Sequence, residues 1–257
     1  MGSPLGSPED VSSTGRAVRK MFAAVAPRYD FLNHFLSLGC DLYWRRATAK
    51  ALGHALARPK SVAVDVCCGT GDLALALARV SSGKVIGADF CHPMLERALE
   101  KARRGPLRTR ASGGPVGHAV FFLEADTLAL PFRNDSVDVV SSAFGFRNLA
   151  NYARGLEEMR RVLKPGGAVA ILEFSRVRWP VFGPVFLVYF RHILPWLGTL
   201  ISGVEGPYRY LADSVAKFPD QEALADSMRQ AGFVKVCCRN FFGGVAALHL
   251  GDKGTGE

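Results

Sequence analysis

Val64-Asp65-Val66-Cys67-Cys68-Gly69-Thr70-Gly71-Asp72-Leu73-Ala74 is the stretch of this 257-residue chain whose residue types and spacing point most directly to chemistry. An apolar run ends in Gly-Thr-Gly and a helix-forming run follows, the pattern of a strand, a tight turn and a helix N-terminus. Gly69, Gly71 and Ala74 satisfy G-x-G-x-x-A, the loose fingerprint of a dinucleotide site, although glycines in such a turn also serve the backbone alone. Asp89 closes a second apolar run about 20 residues beyond the glycines, where an acid can accept from ribose hydroxyls, and Asp126 closes a third. Ligands of parallel sheets bind at the carboxyl ends of strands, which is where all these residues fall. Asp65 before the turn and Asp72 after it would repel a pyrophosphate and attract a ligand carrying an ammonium and a sulfonium. S-adenosyl-L-methionine has both, with a ribose for Asp89 and an adenine for Asp126, so the residues favour it over NAD.

The other reactive side chains carry no comparable pattern. The six cysteines are Cys40, Cys67, Cys68, Cys91, Cys237 and Cys238, with no C-x-x-C among them. That is neither a disulfide framework nor a zinc pattern, and it reads as reduced thiols in a cytoplasmic compartment. Cys67 and Cys68 would point to opposite faces of a strand and pack like small apolar residues. The six histidines show no ligand spacing, so no metal is expected.

The elements that must position the glycine turn are legible around it. Residues 1–17 are polar, rich in Gly, Ser and Pro, lack the apolar core of a signal peptide, and read as a disordered arm. Residues 18–57 read as a helical cap punctuated by Pro27 and Gly39. From residue 58 to 250, strand and helix patterns alternate: five parallel-type strands, a helix stopped by Lys164-Pro165-Gly166-Gly167, and a terminal hairpin turning at Gly243-Gly244. Seven strands in a mostly parallel sheet with helices on both faces is the implied architecture, an α/β Rossmann-like fold with a C-terminal antiparallel hairpin. Residues 251–257 read as a tail and 104–118 as a basic loop. Within 176–218 lies an apolar insertion whose two runs are split by Arg191-His192 and broken by prolines. It is too interrupted to span a membrane and suits an interfacial or buried lid. A formal charge of +9 favours anionic partners, whether RNA, acidic lipid or an anionic substrate.

Two segments carry a family resemblance. Tyr29-Asp30-Phe31-Leu32-Asn33 through Trp44, and Arg161-Val162-Leu163-Lys164-Pro165-Gly166-Gly167 through Ser175, are similar to signature stretches of the quinone-biosynthesis C-methyltransferases. Phe144-Gly145-Phe146-Arg147-Asn148 and the stretch from Tyr210 to Pro219 also look like segments of that family. The first stretch departs at Leu32, usually Met, and at Asp41, usually His. The resemblance runs from about Met21 to Leu250. It implies a class I S-adenosylmethionine-dependent methyltransferase acting on demethylmenaquinol and, in some members, on the benzoquinol of ubiquinone biosynthesis. It implies that Thr70, Asp89, Asp126 and Thr127 contact the methyl donor, beside Asp65, Gly69 and Gly71 of the turn. A serine that the family places before Phe-Gly is Ala143 here.

For such a reaction the ring hydroxyl must lose its proton so that the phenolate enriches the ortho carbon. Arg147 would stabilise the phenolate and Asn148 orient it or a water; the other reading is an exposed Arg-Asn turn. Tyr29 would bond the quinol or pack at the sheet edge. A water held by Asp126, Tyr29 or Asn148 would relay the proton. Tyr208 and Tyr210 read as aromatic walls or as core. Trp179, Phe182, Phe186, Phe190 and Trp196 would line a channel for the polyprenyl tail, with Arg176, Arg178, Arg191 and the basic loop meeting anionic headgroups at the inner face of the membrane; otherwise the lid packs on its own core. No nucleic acid partner is expected, and the oligomeric state stays open. The competing readings are a methyltransferase of the same fold acting on RNA or another small molecule, and a non-catalytic S-adenosylmethionine-binding protein.

Overall fold

The computed structural model describes residues 18–24, 26, 29–104, 120–180, 182–202 and 207–256. The arm at 1–17, nearly all of the basic loop, and the side chains of Phe182, Arg191 and Tyr208 lie outside the described residues.

The cap consists of α1 (residues 18–24), α2 (Tyr29–Leu36), α3 (Cys40–Ala51) and the short α4 (Gly53–Leu56). The alternating region follows as β1 (Val62–Val66), α5 (Asp72–Ala78), β2 (Lys84–Asp89), α6 (His92–Arg104), β3 (Val120–Glu124), β4 (Val137–Ala143), α7 (Tyr152–Val162) and β5 (Leu163–Phe174). The lid is α8 (Phe182–Val188), a π-helical turn (Tyr189–Ile193), α9 (Leu194–Ser202) and α10 (Pro207–Lys217). Last come α11 (Gln221–Gln230), β6 (Phe233–Phe241) and β7 (Ala246–Lys253).

The seven strands form one sheet in the order β3-β2-β1-β4-β5-β7-β6, with β7 antiparallel to both β5 and β6 and every other pair parallel. The order reverses between β1 and β4, which opens a crevice beyond their carboxyl ends. The glycine turn leaves β1 there, and Phe144–Asn148 leaves β4 beside it.

Alternation along the strands builds a core on each face. Ala63, Val139, Ala170 and Leu172 pack against Leu52 and Leu56 of α4 and its approach, and against Leu73 and Leu77 of α5. Val64, Val140, Val169 and Ile171 pack on the other face against Leu156 and Met159 of α7 and Leu224 and Met228 of α11.

Three local features differ from the sequence pattern. The Lys-Pro-Gly-Gly stop does end α7, but the chain turns directly into β5 at Leu163, which pairs with Val137; the register shift between Val137 and Val139 absorbs the extra residues. The hairpin turn is a short 3-10 segment, Phe242–Gly244. β7 continues to Lys253, into the segment read as a tail, because Asp252 pairs with Ala168 on one side and Val234 on the other.

In the lid, Leu32 and Leu36 of α2 pack on Phe190, Leu194 and Ala212, a small core of its own. Pro195 offers no N–H to the preceding turn, which accounts for the widened π-helical turn just before α9. No described helix is long and apolar enough to cross a membrane.

Candidate active site

At the crevice, Gly71 adopts φ +82° and starts α5; a Cβ there would come within 2.9 Å of the Phe122 ring and 3.0 Å of Ala98. The turn is anchored from β2: Asp89 Oδ2 accepts from the Gly69 N–H at 2.8 Å and its Oδ1 accepts from the Cys91 N–H at 2.8 Å. Burial raises the Asp89 carboxyl pKa against those two hydrogen bonds, which lower it. Asp65 is buried at the end of β1 and accepts from Ser141 Oγ at 2.8 Å, while its Oδ2 has no partner among the described residues. Burial pushes its carboxyl up to about 7, although the Ser141 hydrogen bond and the Arg45 charge work the other way.

These residues line a narrow cleft. Asp65, Gly69, Thr70 and Asp89 border it together with Asp72, and Phe90, Met94 and Leu149 give it an apolar side. Gly71 shapes the turn without bordering the cleft. Asp126 and Thr127 do not border it either. Asp126 is exposed, with Oδ1 accepting from the Leu128 N–H at 2.9 Å, and Thr127 is buried with its hydroxyl 3.4 Å from Cys67 Sγ. Cys67 and Cys68 border the cleft, and burial holds both thiols well above the usual thiol range, protonated and inert.

The cap closes on this turn. Thr70 Oγ1 donates to Asp30 of α2, and Lys101 of α6 bridges Asp30 Oδ2 and Asp72 Oδ1, each at 2.6 Å. Lys101 also donates to Thr70 Oγ1 at 3.2 Å. Burial works to raise the Asp72 carboxyl, but Lys101 together with Arg45 and His34 holds it below its ordinary range. The two acids that flank the turn are therefore not equivalent. Asp72 is neutralised by a lysine that the sequence did not single out, and Asp65 keeps an unpartnered oxygen at the cleft.

Beyond the cleft, under the lid, lies a second cavity of about 540 Å³. Its walls are aromatic and aliphatic: Trp44, Phe144, Phe174, Phe186 and Phe190 form a chain of ring contacts with centroids 4.7 to 6.5 Å apart. Trp179 borders it, whereas Trp196 is 64% exposed and does not. Tyr29, Arg45 and Phe144 border both cavities and so form the wall between them.

Arg147 borders the apolar chamber and Asn148 the cleft. Arg147 is not on an exposed turn. It is buried, and Nη1 donates to Glu173 at 3.0 and 3.2 Å and to the Phe144 carbonyl, while its Nε has no partner among the described residues. Glu173 also accepts from the Arg147 backbone N–H, and the guanidinium lies 5.6 Å from the Phe174 ring centroid. Tyr152 Oη donates to the Arg147 carbonyl, and Tyr210 Oη donates to Asn148 Oδ1 at 3.1 Å, so Tyr210 buttresses the site. Burial raises the Tyr29 phenol pKa, opposed by the charges of Arg147 and Arg45, so Tyr29 stays a donor.

A model of the ubiE/COQ5 methyltransferase family matches residues 10–253. The chain belongs to that family. A demethylmenaquinone methyltransferase of Deinococcus radiodurans is 45% identical over 97% of both chains. Another, from Thermus thermophilus, is 48% identical over 91% of this chain and 100% of its own. The fold is shared with a SAM-dependent methyltransferase from Aquifex aeolicus, at a TM-score of 0.55 and 19% identity over 80% of this chain and 89% of that one.

The segments that resemble the ubiE/COQ5 family converge in space. Tyr29 to Trp44 supplies α2 and the start of α3, which roof both cavities; Phe144 to Asn148 supplies the floor; β5 delivers Glu173 behind Arg147. Glu173, Arg45 and Lys101 were missed in the sequence. The signal for Glu173 was available: an acid near the end of a fully apolar strand, Ala168-Val169-Ala170-Ile171-Leu172, needs a partner. Arg45 and Lys101 look like ordinary surface-helix cations until the helices are placed.

Proposed function

We propose that this protein transfers a methyl group from S-adenosyl-L-methionine to a ring carbon of a polyprenyl quinol, demethylmenaquinol foremost, with the two cavities as its two substrate sites. Membership of the ubiE/COQ5 family and 45–48% identity to demethylmenaquinone methyltransferases support the reaction. The observation that carries the assignment of residues is the wall of Tyr29, Arg45 and Phe144, where a polar cleft meets an apolar chamber.

The cleft fits the methyl donor. Asp65 presents a buried carboxylate oxygen without a partner, which suits a cationic group, and Asp89 remains at the cleft edge with lone pairs free for ribose hydroxyls. Phe90, Met94 and Leu149 offer an apolar slot for a base. In this assignment Asp65, Asp89, Gly69 and Thr70 hold the donor, Gly71 shapes the turn, Thr127 supports it from behind through Cys67, and Asp126 caps its own loop. The bound donor supplies an electrophilic methyl on a positively charged sulfur.

In the chamber, Arg147 stabilises the ring oxygen as it gives up its proton. Its guanidinium stays protonated and is held by Glu173, so it acts by charge and hydrogen bonding and not as a base. Tyr29 donates to the ring or to a water. Asn148, oriented by Tyr210, holds a water that takes the proton; Asp126 is too far out for that role. The aromatic lining excludes bulk water from the reacting carbon.

The tail leaves through the chamber mouth. Leu38 and Val185 border the chamber yet are 87% and 65% exposed, and Trp196, Leu200, Phe31 and Phe35 add exposed apolar surface on α9 and α2. An apolar surface of this kind around a lipid-binding chamber supports peripheral contact with a bilayer, with exposed Arg176 and Arg178 beside it.

Incubating the protein with demethylmenaquinol and methyl-labelled donor tests the reaction: label should appear in the quinol. Label in RNA and none in quinol would overturn the reading. Co-sedimentation with acidic liposomes at low salt tests the membrane contact, and protein left wholly in the supernatant would remove it.

A further inference from the structure

Arg45 stands in the wall between the two cavities. It lies on α3, buried, next to the exposed Arg46. Its Nη1 donates to Asp41 Oδ2 at 2.5 Å, and its guanidinium sits 5.1 Å from the centroid of the Phe144 ring. Asp41 is held in turn by Ser37 Oγ at 2.8 Å and by His34 Nδ1 at 2.8 Å.

This arrangement repeats the one around Arg147. Each guanidinium lies over a phenyl ring, Phe144 or Phe174, and each is backed by a buried carboxylate, Asp41 or Glu173. Tyr29 feels the charge of both. A guanidinium has five N–H donors, and among the described residues Asp41 is the only hydrogen-bond partner of Arg45. Arg45 borders both cavities. A planar, permanently charged donor with spare N–H groups is suited to a ring oxyanion.

We propose that Arg45 is a substrate-contacting residue: its guanidinium bonds a ring oxygen of the quinol where chamber and cleft meet, as a second cation beside Arg147. This rests on the proposed quinol methylation. Arg147 borders the chamber alone, whereas the ring edge that receives the methyl must lie at the shared wall, and Arg45 is the cation there. The charged and titratable groups facing it are Asp41 of α3, His34 and Tyr29 of α2, Asp72 of α5, Asp65 of β1, and the Arg147–Glu173 pair. Asp41, which also borders the chamber, engages only Nη1 of the Arg45 guanidinium.

The test uses the full chain with 4-methoxy-1-naphthol, whose naphtholate absorbs apart from the neutral form. Bound to the wild type, the probe should ionise about one pH unit below its free value, a tenfold change in the ratio of its two forms. Arg45→Gln should abolish at least half of that shift and lower kcat on demethylmenaquinol about tenfold. Arg45→Lys keeps the charge without the fork and should give an intermediate shift. Arg46→Gln, on the exposed neighbour, should change neither.

Loss of turnover in Arg45→Gln with an unchanged probe shift would make Arg45 a structural partner of Asp41 and overturn the proposal. If Arg45→Gln fails to fold, an Arg45→Lys shift equal to that of the wild type does the same. A wild-type protein that leaves the probe unshifted also overturns it. A wild type that shifts the probe through Arg45 but labels no quinol would sink the methylation reading and leave the anion site standing.

Discussion

Replacing Arg147 by Gln removes one half of a pair whose other half, Glu173, is 1% exposed. Breaking a buried ion pair from one side costs about 3–5 kcal/mol, most of it the burial of an uncompensated charge. Glu173 retains the backbone N–H groups of Arg147 and Phe174, both at 3.1 Å, so the lower end, about 3 kcal/mol, applies. For a chain of this size that lowers Tm by about 6–12 °C. Arg147→Gln/Glu173→Gln removes the stranded charge and should regain most of the loss. Turnover behaves differently. Both variants should fall more than about tenfold in kcat, because neither carries the Arg147 guanidinium in the chamber, while the affinity for the methyl donor stays within about twofold. Thermal unfolding, donor calorimetry and the labelled-methyl assay report the three quantities separately. A single variant as stable as the double would refute the buried-pair argument, and unchanged turnover in either would remove Arg147 from the mechanism.

Gly145→Ala places a Cβ 2.5 Å from Cys67 Cβ and 2.8 Å from the Cys67 carbonyl, where β4 meets the glycine turn; calorimetry should show donor binding lost before the fold is, and intact binding would refute the close approach. With its carboxyl raised to about 7, Asp65 keeps a proton in the folded chain that the unfolded chain loses near 3.8. Stability of the ligand-free protein therefore falls as pH rises between those values, by about 1.4 kcal/mol per unit, and levels off above. Asp65→Asn should flatten that slope in urea titrations at pH 5 to 8, and an unaltered slope would assign it to other groups. Lys101→Met cuts the bridge between Asp30 and Asp72, so deuterium should exchange faster in α2 than in α5 or α7; unaltered exchange in α2 would show that the lid core alone holds the cap.

Periodicity and turn residues made most of the sheet readable. Alternating apolar residues at Val62–Val66 and Val137–Ala143 leave little choice but buried strands, and the order of strands and helices implies a parallel sheet. The glycine turn stood out by its residue types and spacing, and Arg147-Asn148 by lying in a segment that resembles the family. The partners that complete them were not, because Lys101 reaches Asp30 and Asp72 across distances of 71 and 29 residues along the chain, and Glu173 reaches Arg147 across 26. Such pairings depend on which helix lies over which strand end. For the same reason Asp126 was placed with the other strand-terminal acids, yet the chain bends after β3 and its carboxylate turns to cap its own loop at the Leu128 N–H. The apolar insertion offered two readings, lid core or lipid surface. Its described side chains divide, with Phe190 and Leu194 packed inward and Val185, Val188 and Leu200 exposed.

The wall of Tyr29, Arg45 and Phe144 is a single layer of side chains. A small molecule with an adenosine at one end and a naphthol at the other, joined by a spacer of a few atoms, would need to displace only those three groups to sit in both cavities at once. To such a molecule the two sites would offer one long slot divided in the middle. Selectivity over other adenosine-binding proteins would come from the aromatic half, which they do not need to possess.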